Sequence, residues 1–143
     1  MGLNFNDYAR EGNEFMHKLA DRLGHPDRED QAGILLRAVL HALRDRISIA
    51  ENLHVVSQLP MFLKAVYVDQ WSYSENVDRI RSAEDFARRV ESIQENLGET
   101  RFDWQAPTAE LITRVLSVVE EYLTEGEVKD IKSELPEEIA ALV

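Results

Sequence analysis

The 143 residues predict an all-α protein. Three observations carry that reading. Apolar side chains recur at helical spacing, two Ser/Thr-x-x-Glu capping signatures are each followed by Leu-Pro, and no segment sustains the alternation of a strand. The one β-leaning run, Val66-Tyr67-Val68, is short and falls at a helix end.

In chain order, Phe5, Tyr8, Gly12, Phe15, Leu19 and Leu23 form the stripe of a first helix that stops at Gly24. His25-Pro26-Asp27 then turns the chain into a second helix. There Leu35, Val39, Leu43 and Ile47 recur every four residues, and Leu36 and Leu40 widen the stripe. Ser48-Ile49-Ala50-Glu51 opens a third helix: the hydroxyl accepts from the N–H three residues on, and the Glu reaches back to the cap's own N–H. Leu59-Pro60 ends it, because proline disfavours α geometry in the residue before it yet suits a first turn. Phe62-Leu63 and Val66-Tyr67 give a fourth helix its buried face. Ser82 caps a fifth helix from Ala83 to Leu97, followed by Gly98, and Ala106-Pro107-Thr108 opens a sixth. Thr124-Glu125-Gly126-Glu127 caps a seventh, Leu135-Pro136 bends the chain again, and Ile139 with Leu142-Val143 buries an eighth.

The chain matches itself. At an ungapped offset of 76, Leu35-Leu36 aligns with Leu111-Ile112, Val39-Leu40 with Val115-Leu116, Ser48 with Thr124 and Leu59-Pro60 with Leu135-Pro136. Upstream the offset becomes 71 and pairs Phe15 with Phe86 and Leu19 with Val90, a change of loop length. Residues 1–143 are therefore expected to form one domain of two four-helix repeats, 1–68 and 82–143, joined by a connector over 69–81. Units of this size are near the lower limit of independent stability, so a shared core with approximate two-fold symmetry is expected. The connector is polar but carries Trp71 and Tyr73. Two large aromatics suit an ordered joint better than a flexible linker, with ligand stacking as the competing use.

Composition sets the class. A 44% apolar share with 30% charged residues fits a globular chain, and no apolar run nears the roughly 20 residues of a membrane span. The first residues lack the basic and apolar regions of a signal peptide, which leads us to expect a cytoplasmic protein. Absence of Cys removes disulfides, thiol nucleophiles and thiolate zinc sites. A net charge of −11 argues against nucleic acid and anionic membranes as partners. The charge is uneven: residues 1–71 carry 8 basic and 10 acidic side chains, and residues 72–143 carry 8 and 17.

Catalytic and metal-binding constellations are missing. The four histidines, His17, His25, His41 and His54, include no His-x-x-x-His pair, so no metal and no cofactor is expected. His41 and Asp45 share one side of the second helix and are expected to form a hydrogen-bonding pair. The doublets Glu84-Asp85 and Glu137-Glu138 fall in first turns, where negative charge complements the helix dipole, and Arg44/Asp45/Arg46 and Arg88-Arg89 read as polar faces. No nucleophile triad, phosphate loop or dinucleotide fingerprint is present.

The run His41-Ala42-Leu43-Arg44-Asp45-Arg46, then Gln58-Leu59-Pro60-Met61, Tyr67-Val68-Asp69-Gln70-Trp71 and Arg81-Ser82-Ala83-Glu84-Asp85-Phe86, resembles the bacterial domain of unknown function 2267 family over nearly the whole chain, duplication included. Its most specific part is the succession Leu-Pro, Tyr-x-x-x-Trp and Arg-Ser-x-x-x-Phe. Members usually place Gly just before that Trp, where this chain has Gln70, a departure that bears on the local turn. The resemblance implies an all-α bacterial protein with no established activity, so it transfers no catalytic residues.

The leading functional expectation is a non-enzymatic module that binds a protein partner or itself as a homo-oligomer. Its candidate binding surface comprises Trp71, Tyr73, His54 and Tyr67. The alternative is a small-ligand or metal binder, possibly an enzyme, with a pocket between the two repeats near Trp71, Tyr73 and His54.

Overall fold

The computed structural model describes residues 2–72, 79–98 and 102–143. Among these residues the chain forms eight helices and no strand: α1 (Phe5–Arg22), α2 (Glu29–Arg46), α3 (Ile49–Gln58), α4 (Met61–Val68), α5 (Ala83–Asn96), α6 (Thr108–Glu120), α7 (Glu125–Ser133) and α8 (Glu137–Ala140).

The ends of these helices follow from local chemistry. Both capping boxes close reciprocally: Glu51 N–H donates to Ser48 Oγ at 3.2 Å and Ser48 N–H to Glu51 Oε1 at 3.0 Å, and Thr124 and Glu127 repeat the exchange at 3.1 and 2.8 Å. Ser82 Oγ accepts from Asp85 N–H at the start of α5. Pro60, Pro107 and Pro136 stand at the N-caps of α4, α6 and α8, where a missing N–H leaves no helical bond unmade. Gly24 and Gly98, the residues after the C-caps of α1 and α5, have φ of 83° and 101°, a left-handed conformation that suits glycine.

α2 is the central helix, in contact with α1, α4, α5 and α6. Ala32, Ala38 and Ala42 are buried beside its leucines, so neighbours approach closely on several sides, and the predicted stripe widens to most of the helix. The pairing of α1 with α2 recurs as α5 with α6, and that of α1 with α4 recurs as α5 with α8. Between the two stretches, α1 meets α6 and α2 meets α5. The core is one cluster to which both stretches contribute, with Leu19, Leu35, Leu63, Val90, Ile112 and Ile139 fully buried. Each such leucine or isoleucine contributes roughly 1.5–3 kcal/mol of burial energy.

The stripe of α1 is only partly covered. Phe15, Leu19 and Leu23 are buried, whereas Phe5 is 74% exposed. Helical spacing assigns the inward side of α1 but does not say where its cover ends. Two aromatic clusters join the stretches: Phe15, Phe62 and Tyr122 meet at centroid distances of 5.3–5.5 Å, and His25, Phe102 and Trp104 at 4.6–5.5 Å. Trp71 instead rests edge-on against Tyr67 at 6.4 Å, within the first stretch, and Tyr73 lies outside the described residues.

Candidate functional site

Tyr67 and Trp71 come together, but around a polar network that holds helix ends. Asn52, buried on α3, donates through Nδ2 to the carbonyls of Arg44 and Ile47, where α2 stops, and to that of Ser48, the N-cap of α3, which also accepts from the Asn52 backbone N–H. Its Oδ1 accepts from the hydroxyl of Tyr67, whose ring is fully buried on α4. Burial pushes the Tyr67 phenol well above its ordinary range, so the hydroxyl stays protonated and serves as a donor. Tyr67 is therefore part of the core and not of a surface.

The end of α4 is held from α2. Arg44, 7% exposed, donates through Nη1 to the carbonyls of Tyr67 and Asp69, both at 2.8 Å, a cation against the negative end of a helix. The Trp71 ring lies 5.9 Å from its Cζ. Burial lowers the Arg44 pKa, and nearby Asp45 opposes that shift. Arg44 thus departs from the polar-face reading, because its fork fits carbonyls that α4 leaves unpaired. His41 departs similarly: Nε2–H donates to Val66 O at 2.9 Å instead of pairing with Asp45, and burial lowers its pKa. Gln70 takes φ 54°, a left-handed turn that brings Trp71 back over Tyr67 and Arg44; glycine would adopt it without strain.

His54 is engaged elsewhere. Its Nδ1 lies 2.7 Å from Glu134 Oε1 at the end of α7, and that hydrogen bond raises the His54 pKa, with Asp130 adding to the effect. The other histidines are dispersed: His17 faces Glu29, and His25 meets the carbonyl of Trp104. Among the described residues no group of three or more His, Asp or Glu side chains converges as a metal site would require.

Hollows of two kinds lie among the described residues. One lies between α2, α3, α6 and α7, lined by Leu43, Val55, Leu116, Val119 and Ile131, and measures about 30 Å³. Pockets for metabolite-sized ligands run to roughly 300–1,000 Å³. The other, about 460 Å³, is an open groove over α2 between Met16, Ile34, Val66 and Leu97; Arg37 on its wall is paired with Asp69 at 2.8 Å.

The chemically distinctive surface is the outward side of the α3–α4 hairpin. Ile49 and Leu53, one turn apart on α3, and Met61 and Val68, two turns apart on α4, are exposed, Leu53 by 61%. Residues 52–68 contain a single full charge, Lys64. Sequence periodicity missed this surface because it searches for the buried face of a helix. The signal that finds it is the scarcity of charge, Lys64 alone along 17 residues of a chain that is 30% charged.

No described helix is long and apolar enough to cross a membrane. A family model described as an uncharacterized conserved protein (DUF2267) matches residues 12–142. No curated protein matches the chain.

Proposed function

The chain belongs to the DUF2267 family, and we propose that it is a non-enzymatic helical module that works in the cytoplasm by binding protein, either a partner or itself, through the outward side of α3 and α4. One observation carries the reading. Among the described residues, all six exposed large apolar side chains, Leu3, Phe5, Ile49, Leu53, Met61 and Val68, fall in the first stretch, and four of them share one hairpin. Burial of such side chains is the dominant favourable term in association. The motif residues Tyr67, Arg44 and His41 are, by contrast, occupied in holding the fold: with Asn52 they bond backbone carbonyls at the ends of α2 and α4, and Tyr67 donates to Asn52.

We read the two stretches as copies of one unit. The recurrence of capping box, proline and helix pairing supports this reading. The unit then supplies its own comparison. At the positions matching Ile49, Leu53 and Met61 the second copy has Glu125, Lys129 and Glu137, all exposed. The fold accepts charge there, so packing within the chain does not require apolar residues on α3 and α4.

Affinity capture from the source organism, together with light scattering of the purified protein, tests the proposal. A partner or an oligomer that depends on Leu53 and Met61 is expected; finding neither would remove its support.

A further inference from the structure

We propose that the open groove over α2 is a binding site for a small aliphatic carboxylate, its chain lying on the apolar wall and its head group on Arg37. The site is separate from the α3–α4 surface and does not depend on it. The groove measures about 460 Å³, within the roughly 300–1,000 Å³ of pockets for metabolite-sized ligands. Met16 from α1, Ile34 from α2, Val66 from α4 and Leu97, the residue after α5, line it and are each half-buried. None of these side chains carries a charge or a hydrogen-bond donor, so the body of the occupant must be apolar. Among the described residues no aromatic ring lines the groove, which favours a flexible aliphatic chain over a stacked ring.

Two charged residues complete the lining, and they differ in what they have left to offer. Asp30 already accepts two hydrogen bonds from Arg28, at 3.1 and 3.2 Å. Arg37 donates through Nη1 alone, to Asp69 Oδ2 at 2.8 Å, and its remaining N–H groups have no acceptor among the described residues. A planar guanidinium fork with donors to spare matches a carboxylate. Asp69 offsets part of its charge and the chain carries −11, so a singly charged head group fits better than a phosphate dianion.

Gly33 keeps the groove open. It stands one turn before Arg37 on the same side of α2, and a Cβ built there would meet only Met16 Cε, at 3.7 Å. Alanine would fit and would favour the helix, so packing within the chain does not call for glycine. At the positions matching Gly33, Ile34 and Arg37 the second stretch has Ala109, Glu110 and Thr113. The combination of a missing side chain, an apolar wall and a guanidinium therefore belongs to the first stretch and not to the repeated unit.

Calorimetric titration and two-dimensional NMR of the full chain with sodium octanoate test the proposal. An open groove leaves part of a bound chain in water, so a dissociation constant on the order of 1 mM is expected. Octylammonium is the stringent control, because a chain of net charge −11 attracts the cation and repels the carboxylate. Octanoate should nonetheless bind about tenfold more tightly, and its amide shifts should centre on Gly33, Arg37, Val66 and Leu97. Arg37→Gln should weaken octanoate at least about tenfold, and Gly33→Leu, which fills the groove, should do the same with helicity retained. Octylammonium binding as well as octanoate overturns the inference, as do shifts centred elsewhere or no binding up to about 10 mM. Octanoate binding that both folded variants leave undiminished overturns it too. The head-group comparison on the wild type decides even if a variant fails to fold.

Discussion

Replacing Tyr67 by Phe removes one oxygen from the centre of the molecule. The hydroxyl donates to Asn52 Oδ1, and both residues are buried. Loss of a buried hydrogen bond gives up about 1 kcal/mol, and the acceptor left without a donor adds roughly 1–3 kcal/mol, so Tyr67→Phe should destabilise by about 2–3 kcal/mol. Asn52→Ala is more severe, because the carbonyls of Arg44 and Ile47 at the end of α2 lose this donor and the Tyr67 hydroxyl is stranded; about 3–5 kcal/mol is expected. In the double variant the stranded hydroxyl is gone. The two losses should therefore fall short of additivity by about 1–3 kcal/mol, where independent sites add within about 0.5 kcal/mol. Urea unfolding followed by circular dichroism measures all four proteins. Additive losses, or a Tyr67→Phe variant as stable as wild type but defective in association, would refute the structural role and return Tyr67 to the binding surface.

Four other predictions concern the same fold. Because the bond to Glu134 raises the His54 pKa, its stabilisation is fully present below the unfolded value of about 6.5 and is lost as pH rises through the folded value. Urea midpoints should decline over that window, and Glu134→Gln should remove this share of the decline. His41 acts in the opposite sense: burial lowers its pKa, so the unfolded chain takes up the proton first and stability drops on acidification below about pH 6.5, a slope that His41→Gln should flatten. At Gly12 an added Cβ would sit 3.5 Å from Phe62 Cβ, an ordinary contact, so Gly12→Ala should stabilise by about 0.5–1 kcal/mol through helix propensity; a lower melting point would show that α1 and α4 need the glycine. Ser48→Ala and Thr124→Ala should each lower stability by about 1 kcal/mol in urea titrations, since both caps close in the same way.

Local chemistry is what the sequence shows best. Ser48 with Glu51, Thr124 with Glu127, Gly24, Gly98 and the three helix-starting prolines are signals completed within a few residues, and each marks a real helix end. Long-range partners are hidden, because spacing places His41 and Asp45 on one side of a helix without revealing that the carbonyl of Val66 lies closer to hand. Arg44 reads as surface for the same reason: a guanidinium is buried only where acceptors from another helix await it, here Tyr67 and Asp69. Tyr67 was legible on the buried face of the fourth helix, but not that Trp71 packs against it and over Arg44. His54 gave no sign of Glu134, 80 residues away. The α3–α4 surface lies in a run with Lys64 as its one full charge over residues 52–68, yet only the fold separates the inward Val55, Leu63 and Tyr67 from the outward Leu53, Met61 and Val68.

The inward sides of α3 and α4 complete the core and the polar network, and their outward sides carry the exposed Ile49, Leu53, Met61 and Val68, where the proposed association would occur. Amide hydrogen exchange, compared between dilute and concentrated protein, tests that separation most directly. Slower exchange in the concentrated sample, confined to residues 49–68, is the predicted result. Protection centred on Trp71 or on α7 and α8, or no change at any concentration, would contradict it.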